Sequence, residues 1–440
     1  MSESTAAADL LTGLHRLHPL TPVLRGFKFF TAVVAIVSVR ELSDLGLRRT
    51  SYALLAVIVA GFLLSWVSWR FTWYRVEGRE LHVESGVLFR RSRRVPLERI
   101  QAIDIVRPLV GRALGLAELR LEVVGHGASE APLAYLGEDE AHRLRARLLA
   151  LAAGIDERAP APEELVLARV PTRDLVASVL LLGPVVVGIP LLVIVGIALL
   201  VTDLRAFVAT LPVLGSAAAG FGRTAVRRLL GEYDFTLASS ADGLRLRHGL
   251  LETRAQTVPP GRIQAIRLTQ PLLWRGLDWA RVEVDVAGYG GRRHEQMETR
   301  ALLPVAPRPV AERLVADVLG GVDVLGLPMR PVPHQARWCD PVGWRSLAVG
   351  LSGVLLVVRH GRFRRVLDVV PLAKVQSVRL VQGPWQRRLR LASVHVDTAG
   401  RHLATQAAHR NASEAVLLFD AVSDRARAER ELRRRPDPAR

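Results

Sequence analysis

The sequence predicts a membrane protein of mixed α+β class. Two transmembrane helical hairpins (four helices) alternate with three small β-barrels, each capped by a C-terminal α-helix. Three observations carry this expectation: long uncharged segments that fall into two pairs, a set of residue offsets written three times, and arginines concentrated on one side of the apolar segments. A chain of 440 residues has room for roughly three domains at the usual ~100–200 residues each. Half of it is hydrophobic while 5% is aromatic, a balance that long apolar stretches produce.

The clearest span covers residues 51–69, nineteen residues without a charge, enough to cross ~30 Å of hydrocarbon at 1.5 Å per residue. Trp66, Trp69, Trp73 and Tyr74 mark its end as an interfacial aromatic belt. Its partner, residues 29–39, is shorter and spans if Arg25, Lys28 and Arg40 snorkel outward. A second pair begins with the uncharged run 175–201, interrupted by Gly183, Pro184, Gly188 and Pro190, which predicts a kinked or tilted helix. After a tight link at residues 202–205, residues 206–222 run back, with Pro212 and many small residues that suit close packing in lipid. A buried helical pair of a soluble domain is the competing reading, and the length without charge argues against it.

Arginine placement sets the orientation. Arg70, Arg75, Arg79, Arg90, Arg91, Arg93 and Arg94 follow the first pair, and Arg223, Arg227 and Arg228 follow the second, whereas the turns inside each pair are nearly neutral. The positive-inside rule then puts both termini and every large segment on the cytoplasmic side of a bacterial inner membrane, in a multi-pass arrangement. A cleavable signal is not expected, because Asp9, His15 and His18 interrupt the N-terminal stretch.

The repeat is anchored on a glutamine. Arg99-Ile100-Gln101-Ala102-Ile103 recurs as Arg262-Ile263-Gln264-Ala265-Ile266 and as Lys374-Val375-Gln376-Ser377-Val378. Fifteen residues before the glutamine stands Gly86, Gly249 or Gly361, and five before it stands Pro96, Pro259 or Pro371. Eleven after it comes Arg112, Arg275 or Arg387, and sixteen after it Ala117, Ala280 or Ala392. The apolar run before each glycine predicts a strand and the glycine a hairpin. Alternation returns at Ile103-Asp104-Ile105, at Ile266-Arg267-Leu268 and in the runs 119–123, 282–286 and 394–396, as in half-buried strands. Last strands are expected at 133–136, 301–305 and 403–407. Each unit closes with an amphipathic helix, at 138–152 (Leu144, Leu148, Leu151), 310–319 (Leu314, Val318) and 413–422 (Leu417, Leu418, Ala421). Antiparallel strands plugged by one helix make a small barrel or sandwich.

These units resemble the bacterial pleckstrin-homology-like (PH-like) domain of the second class, formerly a domain of unknown function (DUF304). The third copy carries the signature best, in Pro371, Lys374-Val375-Gln376 and Leu391-Ala392-Ser393-Val394-His395-Val396-Asp397-Thr398-Ala399-Gly400. The first copy matches at residues 114–117 and has Val124-Gly125 where Thr-Ala-Gly would fall; the second has Trp279 and Val286-Ala287-Gly288. Three such domains with two hairpins are similar to the YdbT-like multi-pass membrane proteins, which the Arg16-Leu17-His18-Pro19 stretch also fits. The resemblance implies a PH-like fold without an established ligand or catalytic activity, and a possible role in envelope stress or protection against membrane-active bacteriocins. The expected organisation is a cytoplasmic N-terminus (1–22), hairpin one (23–69), PH-like domain one (70–154), a linker (155–172), hairpin two (173–222), PH-like domain two (223–322), a linker (323–340), PH-like domain three (341–424) and a basic tail (425–440).

Catalytic chemistry is not expected, and neither is a cofactor or a metal. His15 and His18 lack a third ligand nearby, and a single cysteine, Cys339, has no evident base or orienter. Gly288-Tyr289-Gly290-Gly291 falls in hairpin register and no P-loop lysine follows it. The repeated Gln101, Gln264 and Gln376, with Pro96, Pro259 and Pro371, are expected to be structural, each glutamine bonding neighbouring backbone at a strand start. A formal net charge of +18 on a chain with only two lysines, Lys28 and Lys374, partly reflects codon bias, yet it still calls for an anionic partner. Nucleic acid is excluded as that partner, since no helix-turn-helix, zinc-finger or stacking-aromatic pattern accompanies the arginines. Anionic lipid is the expected contact of the basic hairpins at Arg90, Arg91, Arg93 and Arg94 and at Arg362, Arg364 and Arg365. The sequence thus reads as a non-catalytic scaffold that presents PH-like modules to lipid headgroups, to a membrane-protein partner or to further copies of itself. The alternative is a component of a transport or export system, against which the uncharged spans argue.

Overall fold

The computed structural model describes residues 15–16, 19, 21, 59–63, 66–67, 69–77, 80–85, 91–97, 100–123, 130–153, 164–240, 243–287, 301–324, 326–400 and 403–434. It forms two compact units: Met1–Glu163 with Leu251–Thr257, and Glu164–Leu250 with Val258–Arg440. Most of the first expected hairpin (23–69) lies outside the described residues; 59–63, 66–67 and 69–70 are helical.

Following the chain, β1 (His15–Arg16) precedes the first copy, which comprises β2 (Trp73–Glu77), β3 (Glu80–Ser85), β4 (Arg91–Pro96), β5 (Ile100–Pro108), α1 (Leu109–Ala113), β6 (Leu116–Val123), β7 (Glu130–Gly137) and α2 (Glu138–Ala153). Next come β8 (Leu165–Arg169), α3 (Thr172–Leu180), a π-helical turn (Pro184–Gly188), α4 (Ile189–Thr202) and α5 (Leu204–Gly231). The second copy holds β9 (Thr236–Ser240), β10 (Gly243–His248), β11 (Glu252–Val258), β12 (Ile263–Pro271), β13 (Trp279–Val286), β14 (Ala301–Pro307) and α6 (Arg308–Val318). After β15 (Arg330–Pro331) the third copy holds β16 (Ala348–Leu351), β17 (Leu355–His360), β18 (Arg364–Pro371), β19 (Val375–Val381), α7 (Pro384–Arg388), β20 (Leu391–Thr398), β21 (Thr405–Asn411) and α8 (Ala412–Arg434).

The repeated residues do the same local work in each copy. In β5, β12 and β19 the ladder slips at the glutamine, between Ile100 and Ala102, Ile263 and Ala265, and Val375 and Ser377. The glutamine is therefore the extra residue of a β-bulge, which bends the strand and sharpens its twist. Gln264 donates from Nε2 to the Arg262 carbonyl at 3.0 Å, in keeping with a backbone-bonding role. Hairpin glycines Gly249 (φ 109°) and Gly361 (φ 81°) occupy the region that favours glycine. Fourteen residues after the glutamine, Gly115, Asp278 and Arg390 all take left-handed backbone (φ 66°, 48° and 55°), a turn that the mixed residue types concealed.

In the first unit one sheet runs β1-β2-β3-β4, with His15 opposite Tyr74. A second ladder runs β7-β6-β5-β11. The core combines Tyr74, Val76 and Leu81 with Ile103, Ile105, Leu119 and Leu121, closed by Leu148 of α2 with Leu144 and Leu151 beside it. Three acidic residues, Glu138, Asp139 and Glu140, fill the first turn of α2, where they complement the helix dipole.

The second unit contains the ladder β8-β9-β10, the seven-stranded sheet β14-β13-β12-β18-β17-β16-β15, and the three-stranded sheet β19-β20-β21. The copies interleave. In the first unit β5 pairs antiparallel with β11, setting Pro108 opposite Glu252; in the second, β12 pairs with β18, setting Ile266 opposite Val369. Counted from each copy's glutamine, the two junctions share one register, because paired positions sum to minus five in both. Successive copies therefore lend strands to one another, which the expected boundaries at 223–322 and 341–424 did not provide for.

Two further elements depart from the sequence expectation. Helix α8 continues through Arg425 to Arg434, into the expected basic tail, because Arg425 donates to the Ser352 carbonyl and Arg430 to the Val375 carbonyl. Its buried face is Ala415, Val422 and Ala426 with Leu418, while Leu417 is exposed. The uncharged run from Leu175 is divided: α3 buries Leu175 in the core of the second copy, and the apolar helices begin at Pro184. Pro184–Thr202 and Leu204–Gly231 are long and apolar enough to cross a membrane, and neither is buried. Asp203 caps the second by accepting hydrogen bonds from the amides of Arg205 and Ala206 at 2.9 and 3.2 Å.

Candidate functional site

Where the two apolar helices meet the second copy, the second unit holds a cavity of about 820 Å³. Helix ends supply Leu182, Pro184, Val187, Thr224, Arg227 and Arg228 to its wall, the segment after β12 supplies Leu272, Leu273 and Trp274, and β13 supplies Arg281 and Glu283. Phe363 and Arg364, from the basic hairpin of the third copy, complete it. The strand junction brings that hairpin here, since β18 pairs Arg364 with Pro271 and Arg365 with Gln270.

One wall is an ion-pair chain. Arg281 reaches Glu232 at 2.6 Å and Glu283 at 2.8 Å, while Arg228 holds the other oxygen of Glu232 at 3.0 Å. Arg228 also lies over the Trp274 ring, 5.2 Å from its centroid, and donates to the Pro304 carbonyl at 3.2 Å. Trp274 is fully buried and donates from its indole nitrogen to the Ser178 carbonyl, which ties α3 to the site. Burial pushes the Arg281 guanidinium down, but Glu232 and Glu283 overcome it and raise it above its ordinary value. Burial likewise pushes Glu283 up, and Arg281 reverses the shift and holds it below the usual carboxylate range. Both groups stay charged. With Arg227 and Arg364 added, cations outnumber the two carboxylates of the wall.

The Thr269 hydroxyl is buried in this wall and has no hydrogen-bond partner among the described residues. Apolar lining and surplus positive charge suit an amphiphile with an anionic head. The carboxylates of the wall are neutralised by arginine.

Of the anticipated lipid contacts, Arg364 lines the cavity, Arg365 lies beside it in register, and Arg362 accepts through its carbonyl from Arg275 at 2.5 Å. In the first copy Arg94 is exposed on β4, Arg91 and Arg93 lie on the same strand, and Arg90 lies outside the described residues. Gln264, Gln376 and Pro371 lie on strands and Pro259 just after β11, none of them in the cavity wall; Gln101 and Pro96 lie on strands of the first unit. Sequence reasoning missed Trp274, Arg281 and Glu283. On β13 the core-facing residues are Ala280, Val282, Val284 and Val286, so Arg281 and Glu283 occupy the parity that alternation assigns to solvent. Cover from the helix ends changes that face from wet to buried.

Comparison with known proteins agrees with this architecture. The family described as "Bacterial PH domain" matches three times, at residues 28–152, 177–321 and 336–426. A curated relative, the UPF0699 transmembrane protein YdbT of Bacillus subtilis (strain 168), is 23% identical over 289 residues, which cover 56% of this chain and 57% of the relative. On the three matches, which take in most of its length, the chain belongs to the bacterial PH domain family.

Proposed function

We propose that this protein is a membrane-anchored, non-catalytic scaffold that binds an anionic lipid headgroup at the cavity below its second helix pair. Four helices, in two hairpins with both termini cytoplasmic, carry three PH-like barrels on the inner face of the membrane. The observation that carries the proposal is the completion of an apolar cavity at the end of α5 by Phe363 and Arg364 of the third copy. A lipid from the cytoplasmic leaflet would place its acyl chains along Leu182, Pro184 and Val187 and its phosphate among Arg227, Arg228 and Arg364. Arginine clusters at an anionic surface gain about 1 kcal/mol per residue near the headgroups. The basic stretch of the first copy, Arg90 to Arg94, adds a second, non-specific attraction of the same kind.

The test uses the full chain in nanodiscs of mixed phosphatidylglycerol and phosphatidylcholine, followed by extraction and native mass spectrometry. Wild-type protein should retain phosphatidylglycerol preferentially, and Arg364→Glu combined with Phe363→Ser should lower retention at least fivefold without unfolding. Equal retention by the wild type and the double variant overturns the reading.

A further inference from the structure

Two copies of this chain hide the edge of their first post-bulge strand under the next copy's third strand: β5 under β11 in the first unit, β12 under β18 in the second. Among the described residues, no strand follows the closing helix α8 of the third copy. Among the described residues β19 pairs with β20 alone, and its outer edge carries no strand. The side chains record the difference. Four residues past the glutamine, Ile105 is 2% exposed and Leu268 packs into a core with Leu367 and Val369 of the neighbouring copy, whereas Leu380 is 42% exposed. Two residues past it, Ile103 and Ile266 are buried and Val378 is only half-buried. An apolar strand with open backbone donors and acceptors is a template for another strand.

We infer that β19 docks an extended strand from another polypeptide, in the register of the two internal junctions, and that this strand carries an apolar–acidic–apolar triplet. The triplet follows from what already fills the equivalent place. Leu367 and Val369 cover Leu268 and Ile266, while Asp368 between them accepts two hydrogen bonds from Arg267, at 2.6 and 2.9 Å. Arg379 occupies the Arg267 position on β19. It holds Asp397 of β20 at 2.8 and 2.9 Å, and its exposed guanidinium has N–H donors to spare for an incoming carboxylate.

The same register disfavours the equivalent third strand of a second copy of this chain as the occupant. That third strand, β4, whose outer edge carries no strand among the described residues, would set Ser92, Arg93 and Arg94 where Leu367, Asp368 and Val369 stand. Arg93 would then oppose Arg379, and Arg94 would enter the apolar cleft beside Val378. Like charges in register and a charge facing an apolar groove keep head-to-tail chains from growing. A strand of another protein with an acidic residue at this place fits instead; main-chain pairing gives it affinity and the acidic residue gives it specificity. This inference stands independently of the lipid site, which involves neither β19 nor Arg379.

The experiment uses the full chain in detergent and a fluorescent peptide that copies residues 364–371 (Arg-Arg-Val-Leu-Asp-Val-Val-Pro), read by anisotropy. Saturable binding is expected, weakened at least tenfold by Leu380→Asp and by Arg379→Glu. The Arg379→Glu protein should regain binding to a peptide with lysine in place of the aspartate, a rescue that a misfolded variant cannot show. A peptide copying residues 90–96 should not bind, and the chain should not self-associate through β4. Three outcomes overturn the inference: no binding of the first peptide, binding indifferent to the charge swap, or oligomers that Arg93→Asp dissolves.

Discussion

Arg267 and Asp368, one hundred and one residues apart in sequence, form a two-bond ion pair across β12 and β18, with Nε at 2.6 Å and a terminal nitrogen at 2.9 Å from the two carboxylate oxygens. Asp368 is almost fully buried, and His360 approaches the same carboxylate at 3.1 Å. The pair fastens the second copy to the third, at the junction that also delivers Phe363 and Arg364 to the cavity.

Removing one member should therefore loosen both the junction and the site. Asp368→Ala leaves the Arg267 guanidinium short of its partner and should destabilise the protein by about 3–5 kcal/mol, the usual cost of breaking a buried pair from one side. Denaturant melts of the detergent-solubilised chain measure it. The Arg267→Met, Asp368→Leu double variant should recover much of the loss.

Acid should act through the same carboxylate. Burial pushes Asp368 up, but hydrogen bonds from His360 and Arg267 overcome it and hold it below its ordinary value. A depressed carboxylate contributes stability that is complete above its unfolded value of about 4 and is lost as pH falls through the lower folded value. Melting temperature should fall more steeply below about pH 4 in the wild type than in Asp368→Asn.

Trp274 anchors the base of the helix pair through its indole bond to Ser178 and its stack under Arg228. Trp274→Ala should cost about 3–5 kcal/mol, as large-to-small changes at fully buried aromatic sites do. Exposed Phe363, by contrast, should be replaceable by serine with less than about 0.5 kcal/mol of change in a thermal melt.

At the third copy's hairpin, Gly361 has φ 81°, and a Cβ there would run into the Arg364 carbonyl oxygen. Gly361→Ala should destabilise by about 1–3 kcal/mol and move the basic hairpin away from the cavity. Proteolysis within residues 360–365 should accelerate accordingly.

The repeated glutamine should differ in weight between copies despite its identical place. Gln264 is buried and bonds the Arg262 carbonyl, so Gln264→Ala should cost about 1 kcal/mol, whereas Gln376 is exposed and its alanine variant should be near neutral. Paired chemical melts of the two variants decide it.

Much of this fold was legible in the residues because the signals are local. Alternation placed the strands on either side of each glutamine, and hairpin glycines, closing helices and apolar runs followed from spacing and composition. Errors arose where contact with distant segments decided the outcome. Polar later turns end the expected helix at residue 422, yet α8 continues because Arg425 and Arg430 find carbonyls at Ser352 and Val375 of the third copy. Hydrophobicity favours Leu417 on the buried face, while the small Ala415 and Ala426 occupy it because the helix lies close against the strands. The run from Leu175 to Val201 looked like one span, because burial in a protein core and burial in lipid draw on the same apolar residues.

The sequence by itself determined that three equivalent units exist, where their bulges and hairpins fall, and that two apolar helices separate the first pair of units. Each follows from period, offset and length, quantities that a few neighbouring residues define. Only the tertiary structure decided which strand edges meet. Alternation says which face of a strand is apolar, but an edge presents the same backbone groups to any partner, and the choice rests on side chains far away in sequence, such as Arg267 and Asp368. That choice puts copy three's hairpin beside copy two's cavity, and it leaves β19, alone of the three equivalent strands, with its edge open among the described residues.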